Sequence, residues 1–370
     1  MIKSRIALCL GGGGATGAMF QIGALAALED AVAGVHVNEF DIYMGASSGA
    51  SVAAALAGGR PVQRIYRAIL DPADDYFPLE RRHLFRMDVT GWRHAWGSGL
   101  GAVQRGLTGL LRPGREAPSP AVLWEQLDQL YDSLPPGVYS LDGYERFLED
   151  FFVRRGVPNN FTAMPRPLRV LTHELDTGEC VVFGRSGYEH EPVTRACIAS
   201  MALPPFFSPV RMGHRYYFDA GAAQAEHLEA AVAEGADVLV VINALVPVVT
   251  AGGTNGQGAR GGLVDKGLMW VSSQAGRIAS HAALHHTLGR IERESRAAIL
   301  LIEPEPTDAI LFLHNPASFA ARRKILEYAY RTTRARIAKW IDRGSSALLR
   351  TGWELRASSP ESLPPRPAEG

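Results

Sequence analysis

Short apolar runs of strand length alternate with longer amphipathic stretches along the first part of the chain. Arg5–Leu10 (RIALCL) is such a run and ends in Gly11–Gly14. Gly17–Asp30 follows with Met19, Ile22, Leu25 and Leu28 at the spacing of one helical face. Phe40–Met44 (FDIYM) predicts a second strand, and a small-residue helix over Ala50–Ala57 comes after Gly45-Ala46-Ser47-Ser48-Gly49. Strand, loop, helix, strand, turn, helix is the opening of a layered α/β fold around a mostly parallel sheet. The rhythm breaks over residues 71–141, where arginine, glycine, tryptophan and proline crowd together, and a cap-like insert is expected there. Strands return at Leu168–Thr172, Val181–Phe183, Arg215–Phe218 and Val238–Ile242, with a crossover helix over Glu226–Glu234. A Gly-rich linker, Ala251–Gly262, leads to helices over Lys266–Glu294 and Ala320–Ile341 with a short strand, Leu300–Glu303, between them. The expected organisation is one core domain over 1–250 carrying the insert, a helical C-terminal extension over 251–356, and a disordered Pro- and Ser-rich tail over 357–370.

Composition narrows the picture. With 38 basic and 38 acidic residues among 370, and a pI near 7.2, the chain lacks the basic excess of a dedicated nucleic-acid binder. Cys9, Cys180 and Cys197 cannot all pair and show no metal-ligand spacing, so they read as reduced thiols of a cytoplasm-like compartment. Lys3 and Arg5 precede an apolar run shorter than the ~7–15 residues of a signal-peptide core. No stretch approaches the ~18–20 apolar residues of a membrane span. A soluble chain is expected, cytoplasmic and at most peripheral to membrane. Its oligomeric state is not readable.

Two glycine motifs carry candidate chemistry. Gly12-Gly13-Gly14-Ala15-Thr16-Gly17, between a strand and a helix, fits G-x-G-x-x-G. Backbone N–H groups at that helix N-terminus suit an anion, whether a pyrophosphate or a developing oxyanion. A tight turn without a ligand is the plain alternative. Gly45-Ala46-Ser47-Ser48-Gly49 fits G-x-S-x-G in the strand-to-helix context of a nucleophile elbow. A helix cap at Ser47 is the plain alternative there, and Ser48 is expected to be structural. A dinucleotide site wants an acid at the end of the second strand; here that strand ends at Ser47, and Asp41 stands near its start. An oxyanion hole beside a nucleophile is the more coherent reading. Ser47 needs a base. It comes too early for the layout of an α/β-hydrolase, and His281, His285 and His286 sit on a predicted helix with no evident link to it. Asp219, in YYFDAG at the end of a strand, is the better candidate, although a lone D-A-G is also a common turn.

Taken together these elements resemble the patatin-like phospholipases. The resemblance rests on LGGGGATGAMFQIGALAALED (10–30), MGASSGA (44–50) and RACIASMALPPFFSPVRMGHRYYFDAGA (195–222), with GADVLVVIN (235–243) as the strand after the aspartate. It covers about two-thirds of the chain. It implies a three-layer α/β sandwich and a serine acyl hydrolase of lipid esters without metal or cofactor. In that scheme Ser47 is the nucleophile, Asp219 the general base, and Gly12, Gly13 and Gly14 the oxyanion-hole glycines. A free aspartate, pKa ~3.9, is a weak base at neutral pH, so a dry site or a proton taken only as attack proceeds is required. The chain departs from the family at Ala220, where glycine is usual, at Thr16, where a basic residue is frequent, and in one extra residue between Gly17 and Gly23.

Arg81–Arg115 holds seven arginines and one acid with Trp92 and Trp96 interspersed, which suits an anionic membrane surface or, more plainly, a packed cap with solvated arginines. Arg322–Lys339 is also basic, with Leu326, Tyr330, Thr333, Ile337 and Trp340 on one face; a helix docked on the core is the expected reading. Two alternatives remain: a catalytically silent lipid-binding scaffold, and a nucleotide-binding oxidoreductase using the glycine loop.

Overall fold

The computed structural model describes residues 4–71, 73–89, 92–93, 134–220, 224–249, 263–308, 310–313, 321–342 and 346–355. The Ala251–Gly262 linker, most of the Arg81–Arg115 segment and the 357–370 tail lie outside the described residues.

One eight-stranded sheet organises the chain. Its strands are β1 (Ile6–Leu10), β2 (Ile42–Ala46), β3 (Leu168–Glu174), β4 (Cys180–Phe183), β5 (Val210–Met212), β6 (Arg215–Asp219), β7 (Val238–Ile242) and β8 (Ala298–Ile302). They lie in the order β8-β7-β1-β2-β3-β6-β5, with β4 also paired to β3. Strands β8, β7, β1, β2 and β3 are parallel, and β4, β5 and β6 are antiparallel to their neighbours.

Helices cover both faces. Leu8, Leu10, Tyr43 and Val240 point to a face packed by α1 (Gly14–Ala31), α2 (Ser48–Ala57) and α3 (Val193–Met201). Cys9, Ile42, Met44 and Val241 point to the other, packed by α4 (Gln224–Ala233) and α5 (Leu268–Glu294). This double burial is why the strands read as unbroken apolar runs instead of alternating ones. The result is a three-layer α/β sandwich around a mostly parallel sheet. The last long helix, α6 (Arg322–Asp342), lies along α1 with Leu326, Tyr330, Thr333 and Ile337 buried. Gly23 permits the approach, since a Cβ there would stand 2.6 Å from the Leu326 carbonyl oxygen. Tyr330 donates to Asp30 Oδ2 at 2.7 Å.

Near the glycine motifs two boundaries differ from the sequence expectation, and two helices are additional to it. β2 runs Ile42–Ala46 instead of Phe40–Met44, because Asp41 is used at the edge: its carboxylate accepts from the Ile6 N–H at 2.8 Å. α1 begins at Gly14, so the last glycine of the loop is wound into the first turn. The helix over Asp142–Arg155, which buries Tyr144, Phe147, Leu148, Phe151 and Phe152, and the short helix α3 were not anticipated. Among the described residues no helix is long and apolar enough to cross a membrane.

His227 on α4 is buried, and among the described residues neither ring nitrogen has a hydrogen-bond partner. Burial lowers its pKa from 6.5 to about 4, so the ring folds neutral. The unfolded chain therefore takes up this proton first, and the stabilisation present above pH ~6.5 drains away as pH falls toward 4. Between pH 7 and 4.5 this single group is expected to remove about 2–3 kcal/mol. Urea unfolding of wild type and His227→Leu at both pH values checks it: the variant should lose less stability on acidification by that amount.

Candidate active site

The site is produced by two strands that end head to head along one edge of β3. β2 pairs with the first part of β3 and stops with Ala46 opposite Leu171. β6 arrives from the opposite direction and stops with Asp219 opposite Thr172. β4 holds the other edge of β3 over the same residues, so β2 and β6 must share an edge. Ser47, the first residue beyond β2, therefore faces Asp219 across a single register step. Its Oγ donates to Asp219 Oδ2 at 2.7 Å, and each residue is only 7% exposed.

The backbone at Ser47 is a sharp turn. Its φ is 53° and its ψ −131°, and it is the one non-glycine residue with positive φ among those described. Such a conformation costs roughly 1–3 kcal/mol and persists only where the surroundings over-determine it. They do so here. The Ser47 N–H donates to Ser200 Oγ at 2.8 Å, and that hydroxyl donates in turn to the Leu171 carbonyl at 2.5 Å. Two residues further on, the Ala202 carbonyl accepts the Asp219 N–H at 3.1 Å. The end of α3 thus braces both members of the pair. A Cβ at Gly45 would lie 2.5 Å from Ala50 Cα, and one at Gly49 2.5 Å from the Leu10 and Gly11 carbonyl oxygens. Both glycines of G-x-S-x-G are therefore needed for close approach of the elbow to itself and to the end of β1.

The glycine loop follows β1, which neighbours β2 with Leu10 opposite Gly45. Gly13 has φ +133° and Gly14 φ +63°, conformations that favour glycine. The loop carbonyls are taken up: Gly13 O accepts from the Gly17 N–H and Thr16 Oγ1, and Gly11 O accepts from Gln21 Nε2 at 2.6 Å. Among the described residues nothing accepts the N–H groups of Gly12, Gly13 or Gly14, which stand at the positive end of α1. The hydroxyl of Ser48 is buried, again without a partner among the described residues. His281 and His285 face Glu303 and are not part of this pair.

A sequence model of the patatin-like phospholipase family matches residues 8–232, more than half of the chain. The chain belongs to the patatin-like phospholipase family. No curated protein matches the sequence. Among solved structures it is similar to VipD from Legionella pneumophila (15% identity, TM-score 0.36, 91% of this chain and 67% of that one). It is also similar to the type III effector ExoU of Pseudomonas aeruginosa (16%, 0.38, 91% and 53%). Human GIVD cytosolic phospholipase A2, solved with methyl gamma-linolenyl fluorophosphonate, is a third (14%, 0.36, 94% and 60%). The chain covers between about half and two-thirds of the length of these proteins.

Membership of the patatin-like phospholipases supports a lipid hydrolase, and the departures from the usual family pattern are absorbed locally. Ala220 does not adopt positive φ, so alanine in place of glycine carries no backbone strain there. Thr16 uses its hydroxyl to tie down Gly13. Gln21, in the segment with the extra residue, is fully buried and holds the loop through Gly11. Sequence reasoning missed Ser200, although it lies inside the RACIASM stretch that carried the resemblance. Ser200→Ala leaves the Ser47 N–H without an acceptor, which is expected to cost about 1–3 kcal/mol of unfolding free energy. Chemical denaturation measures it, and Ser200→Thr, which keeps a hydroxyl, should recover part of the loss.

Proposed function

We propose that the protein hydrolyses carboxylic esters of phospholipids through an acyl-serine intermediate on Ser47, with Asp219 as general base. The observation that carries this reading is the buried 2.7 Å bond from Ser47 Oγ to Asp219 Oδ2 at a strained strand-to-helix turn. In the first half-reaction Ser47 Oγ attacks the ester carbonyl carbon while its proton passes to Asp219. The carbonyl oxygen becomes an oxyanion, received by the N–H groups of Gly12–Gly14; one such donor is typically worth ~2.7–4 kcal/mol of transition-state stabilisation. The tetrahedral species expels the alcohol half of the lipid, which takes the proton from Asp219. Water then attacks the acyl-serine with Asp219 again accepting the proton, releasing the fatty acid and restoring Ser47.

Substrate in a bilayer requires the enzyme to reach a surface. The described part of the basic segment contributes to a groove of about 600 Å³ whose lining includes Arg82, Arg86, Arg146 and Arg154 against Glu80 and Asp150. Four guanidinium groups opposing two carboxylates suit anionic lipid head groups, and a peripheral position at the membrane follows from this reading.

Turnover of phospholipid vesicles and of a soluble short-chain ester tests the chemistry. Ser47→Ala should abolish both activities, and Asp219→Asn should lower kcat by roughly 10²–10⁴-fold with folding retained, as for loss of a general base. A well-folded wild type that binds vesicles and turns over neither substrate would instead identify a silent lipid-binding scaffold. The double charge reversal Arg82→Glu/Arg86→Glu should weaken sedimentation with anionic vesicles by at least about tenfold, at ~1 kcal/mol per surface arginine. Soluble ester turnover should not change.

A further inference from the structure

We propose that His281, His285 and Glu303 form a binding site for a zinc-class divalent cation, separate from the Ser47–Asp219 pair and independent of its chemistry. His281 and His285 are four residues apart on α5, so they project from one helix face a turn apart. Their ring centroids lie 4.2 Å from each other. Glu303 follows the end of β8 and meets both rings: His281 Nε2 is 3.6 Å from Oε1, and His285 Nε2 is 3.2 Å from Oε2. One donor atom from each of the three residues lies within 4.8 Å of the others.

These separations fit a metal polyhedron. Zinc bonds to imidazole nitrogen and carboxylate oxygen are about 2.0–2.2 Å, and two such bonds at a tetrahedral angle hold their donors roughly 3.3–3.5 Å apart. The two imidazole–carboxylate separations already match that spacing, and the two imidazole nitrogens lie within 4.8 Å of each other. The mixed set of two imidazoles and one carboxylate suits zinc and its first-row neighbours, whereas calcium and magnesium want oxygen alone. Three protein ligands leave a fourth position for water. The carboxylate is already oriented: Asn243 Nδ2, just past β7, donates to Glu303 Oε1 at 2.7 Å, the kind of outer contact that metal-binding carboxylates carry.

The place in the fold gives the site a role. Glu303, Asn243, Gly11 and Ser47 stand just beyond the carboxyl ends of β8, β7, β1 and β2. At ~4.8 Å per strand, the end of β8 that carries Glu303 lies about 14 Å across the sheet from the end of β2 that carries Ser47. A cation there would clamp α5 to the edge strand β8.

The test titrates Zn²⁺ into the metal-stripped full chain against a chromophoric chelator, with Co²⁺ absorption reporting coordination geometry. Wild type should take up one Zn²⁺ at this site, show the visible bands of tetrahedral Co²⁺, and gain thermal stability with Zn²⁺. His285→Ala and Glu303→Gln should each lose that uptake, and Asn243→Ala should weaken it by about 10–100-fold. His173, Cys180 and Glu226 form a second cluster of donors, so Cys180→Ser is the control and should leave binding intact. No uptake by wild type, or uptake unchanged in His285→Ala and Glu303→Gln, would overturn the proposal. Loss of uptake in Cys180→Ser alone would do the same. Short-chain ester turnover should be the same in wild type and His285→Ala.

Discussion

The hydrogen bond between Ser47 and Asp219 depends on a single constraint, the shared edge of β3. A parallel strand and an antiparallel strand cannot overlap on one edge, so each must end where the other begins. Their ends fall at Leu171 and Thr172, and this juxtaposes two residues 172 positions apart in sequence. The Ser47–Asp219 contact is thus set by sheet register, which one-residue slips would destroy because they flip side chains to the other face. Rigid strands make a more exact frame than loops for a contact that has to hold within tenths of an ångström.

The turn at Ser47 is unfavourable in itself, and its cost is offset by the contacts its neighbours make. Ser200 links the Ser47 N–H to Leu171, Ala202 secures Asp219, and Gly45 and Gly49 let α2 sit directly on the end of β1. Because Gly49 touches the Leu10 and Gly11 carbonyls, the elbow and the glycine loop are packed as one unit. The same packing ties the elbow to α1 and, through Gly23 and Tyr330, to α6. Helices from the C-terminal part of the chain therefore support a site whose motifs all lie before residue 222.

Much of this was legible in sequence because the signals are local. RIALCL before four glycines and the G-x-S-x-G turn announce strand ends and tight approaches, and the apolar runs of β1 and β7 announce strands buried on both faces. The helical spacing of Tyr144, Phe147, Leu148, Phe151 and Phe152 is equally local, but it directly follows the crowded insert, whose composition masks the start of the helix. What could not be read is non-local. Periodicity does not give strand direction, so the head-on arrival of β6 was invisible. Nor does it reveal that Ser200 accepts from a backbone N–H 153 residues earlier. The His281–His285 spacing was visible, but its partner Glu303 is brought in only by the pairing of β8 with β7.

Activation of Ser47 by Asp219 is measured most directly by the site and rate of covalent modification with a fluorophosphonate, read by intact mass and peptide mapping. A serine activated by its aspartate partner should give one adduct per chain, on Ser47, and Asp219→Asn should slow its formation by orders of magnitude while leaving the fold unchanged. An adduct on another residue, or modification of Ser47 at the same rate in Asp219→Asn, would mean that Asp219 does not activate Ser47.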